Sequence, residues 1–224
     1  MIFKSFGKSV RYRDDRRYSL AVTAFTPRFY DPMDTRNITS VICRELEAQP
    51  LTPLPELPRF EGSGLYAIYY TGTIETLYVP LVGHDVPVYV GQSHSHNSAT
   101  GVAVSGRTPL FSRVSGHGRS IAGGNLTLTD FAVRLLLMPD VHADLGENGL
   151  RVNYQPVWNA ILRGFGSNEQ GSSTRKSART KWDTVHAGRS RSYGSSPHDR
   201  DALIERARAH IAERIALIGE IPWR

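Results

Sequence analysis

The sequence predicts an α/β fold, and three patterns carry that expectation. Two runs rich in Tyr, Val and Ile, GLYAIYYTG at 64–72 and PVYVGQS at 87–93, are bounded by Gly and Pro and read as a strand pair. A third apolar run, FAVRLLLMP at 131–139, ends at Pro139 and reads as a buried strand. Around these lie segments whose apolar residues recur at helical spacing.

The elements follow in order. The first 36 residues are polar and basic with little periodicity. From Asn37, Ile38, Val41, Ile42 and Leu46 fall on one helical face. LTPLPELPRFEGSG at 51–64 is a Pro/Gly-rich connector, hostile to a helix and to a central strand. The segment between the first two strands is too long for a tight hairpin turn. Residues 94–107 are turn-rich and read as a loop; His94 and His96 within it lack an evident third metal ligand and read as a pair without function. PLFSRVSGHGRSIA at 109–122 is helix-compatible at Leu110, Val114 and Ile121. DVHADLGENGLRVNY at 140–154 reads as a helix, and QPVWNAIL at 155–162 as a short turn or helix after it. Residues 163–198 are Gly/Ser/Arg-rich, the composition of a mobile loop, although Trp182 and Tyr193 are unusual in one. The last helix runs from Ser196 to Gly219. Ser196 is its cap, Pro197 lies in its first turn, and Leu203, Ile204, Ala207, Ile211, Ile215 and Ile218 form one face.

The chain has 224 residues, 40% hydrophobic and 21% charged, which argues against global disorder. No apolar run reaches the length of a membrane span. The N-terminus lacks the apolar stretch of a secretory signal, and the single cysteine, Cys43, excludes an internal disulfide framework and a multi-cysteine zinc site. A cytoplasmic protein is the expectation. The net charge is +6 and unevenly placed. Residues 163–191 hold seven basic side chains against two acidic, and residues 4–17 hold six against two, so the remainder is net negative. Such concentration suits a polyanion; two solvated surface segments are the plainer alternative.

Two tyrosine motifs stand out, Gly64-Leu65-Tyr66 and Tyr89-Val90-Gly91, their tyrosines 23 residues apart. Arg113 and His117 follow, four apart and therefore on one face of a helix. Glu147 comes next, and Asn159 in the run QPVWN twelve residues later. Singly, each has a plain explanation: cross-strand core aromatics, a solvated helix face, a surface carboxylate. As an ordered set they resemble the GIY-YIG nuclease superfamily, and within it the restriction endonuclease subfamily that cuts CCGCGG sites. The resemblance spans about 64–159. KWDTVHAGR at 181–189 is also similar to a stretch of that subfamily. Leu65 and Val90 stand where the family has Ile, and Arg151 where many relatives have an apolar residue.

The resemblance implies a small nuclease core with a central, mainly antiparallel sheet flanked by helices and elaborated by N- and C-terminal extensions and a long basic loop. Residues 1–63 would form a basic arm, helix and connector, 64–162 the core, and 163–224 a recognition loop and C-terminal helix, all in one structural domain. It implies a type II restriction endonuclease acting on double-stranded DNA at a short palindromic, G/C-rich site. Tyr66 would be the general base, assisted by His117; an unperturbed phenol is a poor base near neutrality and needs such help. Arg113 would clamp the phosphate with its planar fork. Tyr89 would position the phosphate or water, and Asn159 would orient another member or hold the site's backbone. Glu147, the only acid of the set, would hold a single Mg²⁺, with Mn²⁺ as a substitute, because Mg²⁺ favours oxygen ligands and keeps waters.

A palindrome is most simply read by a homodimer, and guanines by Arg or Lys in the major groove. The donors offered are Arg163, Asn168, Gln170, Arg175, Lys176, Arg179, Lys181, Arg189 and Arg191, in a segment expected to order on DNA. A cognate DNA methyltransferase is the expected genetic partner, and no membrane is. The alternatives are another GIY-YIG nuclease, of a homing, repair or mobile-element type, and a catalytically inactive DNA-binding protein on the same scaffold.

Overall fold

The computed structural model describes residues 34–96, 101–103, 106–166, 178–189 and 195–224. The expected basic stretch at 4–17 lies outside them.

Four antiparallel strands form one sheet in the order β1-β4-β2-β3: β1 Thr52–Pro53, β2 Gly64–Tyr70, β3 Tyr89–Ser93 and β4 Phe131–Leu137. β2 is central and all seven of its residues are buried, which is why its sequence reads as a continuous apolar run rather than an alternating one. β4 is its other neighbour. Only Phe131–Val133 are fully buried there; the strand opens outward until Leu137 is exposed, so the expected buried strand is buried along its first half. The Pro-rich connector supplies β1, two residues long and at the sheet edge, where Pro53 removes no central ladder bond.

Helices cover both faces. Successive strand residues point to opposite sides. Tyr66 points toward α2 (Pro109–Gly123), whose His117 it meets, and Leu65 points toward α3 (Asp140–Tyr154), where it abuts Gly146. Helix α1 (Thr35–Glu47) packs on α3. The two glycines of α3 make this approach possible. A Cβ on Gly146 would run into Leu65 and Ile42, and one on Gly149 into Thr39 and Cys43. Gly149→Ala therefore acts against the usual gain in helix propensity. Overpacking costs about 1–3 kcal/mol and the helix recovers about 1 kcal/mol. Urea unfolding is expected to show a net loss of up to about 2 kcal/mol.

After α3, Gln155 adopts a left-handed conformation that ends the helix, and a short helix, α4 (Val157–Ala160), follows as expected. The next segment departs from expectation. Residues 178–189, read as part of a mobile loop, contain α5 (Lys181–Val185), with Trp182 fully buried against Trp158 and Phe165. Thr180 accepts the Asp183 N–H at the helix start. A buried polar chain ties the segment down: Trp158 Nε1 donates to Tyr78 Oη at 2.8 Å, Tyr78 Oη lies 2.6 Å from His186 Nε2, and His186 Nδ1 lies 3.0 Å from Asn125 Oδ1. Composition misled here because small polar residues surround one large aromatic anchor.

The last helix, α6, spans Arg200–Ala216 and buries Leu203, Ala207 and Ile211 against α4 and α5. It starts at Asp199, not at Ser196. The Asp199 carboxylate accepts the N–H groups of Asp201 and Ala202, the first-turn donors that a cap must satisfy. No helix among the described residues is long and apolar enough to cross a membrane.

Candidate active site

The register of β2 with β3 sets Tyr66 directly opposite Gly91. An added Cβ at Gly91 would run into the Tyr66 phenol, so the glycine of the second motif makes room for the tyrosine of the first. The phenol crosses the strand to α2, where its oxygen lies 2.5 Å from His117 Nε2. Both side chains are buried. Burial, reinforced by Tyr89 and opposed by Arg113, pushes the Tyr66 phenol well above its usual range. Burial, with the positive charges of Arg113 and Arg189, pushes His117 down to about 3. His117 is therefore a neutral acceptor for the Tyr66 hydroxyl.

Arg113 lies one turn before His117 on α2, and its Nη2 donates to the Gly166 carbonyl at 3.3 Å. Its Nε is buried and has no hydrogen-bond partner among the described residues. A planar guanidinium beside two phenols suits recognition of a phosphate oxyanion. Tyr89, half-buried, packs its ring 5.2 Å from that of His117 and 6.1 Å from that of Tyr66.

Glu147 comes from the opposite face of the sheet. β3 is an edge strand, so a side chain from α3 can approach the same edge as groups from α2. Its charge acts on the titration of Tyr66 and Tyr89, and Arg113 acts on its own. Burial, only partly offset by Arg151, raises the Glu147 carboxyl above the usual range. Asp144, one turn earlier, is already engaged: His94 Nε2 lies 2.8 Å from its Oδ1, and Gln92 Nε2 donates to it at 3.2 Å. His94 is thus a hydrogen-bond partner of Asp144, and His96 lies beside Ser95 and Asp140. Among the described residues no group of three or more His, Cys, Asp or Glu could hold a metal ion. One half-buried carboxylate does fit an ion whose other ligands are waters and substrate oxygens.

Asn159 bonds the backbone of β3 and, among the described residues, none of these side chains. Its Oδ1 accepts the Val90 N–H at 2.9 Å and its Nδ2 donates to the Val90 carbonyl at 3.0 Å. The side-chain amide acts as a surrogate strand on β3 and holds the backbone between Tyr89 and Gly91. Of the two roles expected for Asn159, the geometry is that of the second.

The basic donors divide. Arg163 is exposed and its Nε donates to Ala160 O, Lys181 opens α5, and Arg179 pairs through its backbone N–H with Ser195 O. Asn168, Gln170, Arg175, Lys176 and Arg191 lie outside the described residues. Arg189 was expected on DNA; its side chain is only 5% exposed here, with Nε 2.6 Å from Asp183 Oδ1. Nη1 donates to the Phe165 carbonyl at 3.0 Å, Nη2 to the Gly164 carbonyl at 3.3 Å, and the guanidinium lies over the Trp182 ring.

A family model described as the Eco29kI GIY-YIG domain matches residues 58–215, more than half of the chain. The chain belongs to this GIY-YIG family. No curated protein matches it. The family is one of restriction endonucleases, so this is a DNA nuclease domain. Its two name-giving motifs are here the two halves of one strand pair, with Tyr66 and Gly91 face to face. Sequence reasoning did not single out Phe165, fully buried, whose ring stacks on His117 at 4.7 Å and 23°. The only sign of it was a bulky residue between Gly164 and Gly166.

Proposed function

We propose that this GIY-YIG protein is a type II restriction endonuclease, hydrolysing double-stranded DNA at a short palindromic, G/C-rich site of the CCGCGG kind. The observation that supports this reading best is the short Tyr66–His117 hydrogen bond with Arg113 one helical turn away. Tyr66 takes a proton from the attacking water and passes its own to His117. Arg113 binds the scissile phosphate with its planar guanidinium. The incoming phosphate also offsets the Arg113 charge that holds His117 down, which makes the imidazole a better acceptor when DNA is bound. Tyr89 packs beside both groups and orients the water or phosphate. Asn159 fixes the strand that carries Tyr89. Glu147, with waters and phosphate oxygens, would hold Mg²⁺ or Mn²⁺, which supplies Lewis-acid stabilisation of charge on the phosphate. A homodimer places one site on each strand of a palindrome, exposed basic residues such as Arg163 bind DNA, and a methyltransferase protects the host.

The test is digestion of DNA of known sequence, followed by mapping of the ends. Discrete fragments with Mg²⁺ or Mn²⁺, none with EDTA, and ends at one repeated palindrome are expected. Glu147→Ala controls for contaminating nuclease and cuts nothing. DNA binding without cutting under any divalent cation would overturn the reading in favour of an inactive scaffold, and ends scattered over unrelated sequences would remove the restriction assignment.

A further inference from the structure

Gly164, Phe165 and Gly166 touch three of the site's groups at once. The Phe165 ring stacks on His117 and packs edge-on to Tyr89, with centroids 5.0 Å apart in the second case. The Gly166 carbonyl accepts from Arg113, and Gly166 has no room for a Cβ because Tyr89 Oη is in the way. From behind, the same stretch is held by α5 and Arg189. The Trp182 backbone N–H donates to Arg163 O at 3.1 Å, the Trp182 ring packs on Phe165, and Arg189 grips the carbonyls of Gly164 and Phe165. The stack is nearly parallel, so it leaves the imidazole free to slide but not to tilt. Tilting is the motion that would break the bond to Tyr66.

We infer that Phe165 is a positioning residue: its ring, anchored by Arg189 and Trp182, holds the His117 imidazole in line with the Tyr66 hydroxyl. This rests on the reading of Tyr66 as base and His117 as its acceptor. Its consequence is kinetic. With the ring gone, His117 no longer waits at the phenol, and Tyr66 loses its proton only as solvent hydroxide allows. The cost is then greatest at low pH and shrinks as pH rises.

Phe165→Leu, which keeps apolar bulk without the ring, is measured by single-turnover cleavage at saturating DNA from pH 6.5 to 9.5, beside DNA affinity. The expected rate loss is about 10- to 100-fold near neutrality, smaller at alkaline pH, with affinity at the wild-type value. Phe165→Met, more adaptable in a tight site, takes its place if thermal unfolding shows that the Leu protein is not folded at the assay temperature. A wild-type rate, or a loss equal at every pH, overturns the inference while leaving the nuclease reading standing. A wild-type protein that binds DNA and never cuts it removes both.

Discussion

Tyr66→Phe is expected to lower the single-turnover cleavage rate by about 10²- to 10⁴-fold, the range for loss of a positioned general base. The substitution deletes one oxygen and leaves the ring in its buried place between β3 and α2. DNA affinity should stay at the wild-type value, because the phosphate is met by Arg113. Stability should fall by about 1–3 kcal/mol, the cost of leaving the buried His117 Nε2 without its partner. The pH dependence sharpens the test. Burial holds the phenol above its ordinary range, so Tyr66 acts by handing its proton to a neutral His117 and not as a free phenolate. Across neutrality the wild-type rate should therefore be nearly flat with pH. In Tyr66→Phe only solvent hydroxide remains to make the nucleophile, so its residual rate should climb with pH, by up to about tenfold per unit. Full activity in Tyr66→Phe would leave the water to some other base, and the short bond to His117 would be a core contact only.

The site was legible where chemistry and spacing coincide. Tyr66 and Tyr89 lie in apolar, β-branched runs whose strand character is plain, and Arg113 and His117 are four apart in a segment with one apolar face. Those patterns survive folding because each depends on local geometry: alternation along a strand, one turn of a helix. What escaped depends on contacts across the chain. Phe165 carries no ionisable group, so nothing in its sequence neighbourhood marks it as touching His117. Arg189 was legible as a charge but not as a buried one, since sequence shows the sign of a side chain and not its partner. Asp183, six residues earlier, and Trp182 beside it were the available hints. The cap of the last helix was read as Ser196, three residues early; Asp199 caps it because its carboxylate reaches two first-turn N–H groups at once. The glycines of α3 weaken a helix by propensity and strengthen it by the packing of α1, a trade visible only when Thr39 and Leu65 are in place.

Arg189→Met should destabilise the DNA-free protein by about 3–5 kcal/mol, the cost of leaving one partner of a buried ion pair uncompensated. Both side chains of the pair are 5% exposed, so water cannot replace the guanidinium beside Asp183. Two backbone carbonyls, of Gly164 and Phe165, lose their donor in the same step, and the Trp182 ring loses its cation. For a folded body of this size the melting temperature should drop by roughly 10 °C. Replacing Asp183 as well, as Arg189→Met with Asp183→Leu, removes the stranded charge and should recover part of the loss, because an apolar pair needs no counter-ion. A residue whose work is to contact DNA predicts the opposite pattern: an unchanged melting temperature without DNA and weakened binding with it. The two accounts of Arg189 thus part in a thermal scan of the free protein. If that scan shows no shift, the buried pair is not holding residues 164–166, and the support assigned to Phe165 must come from Trp182 alone.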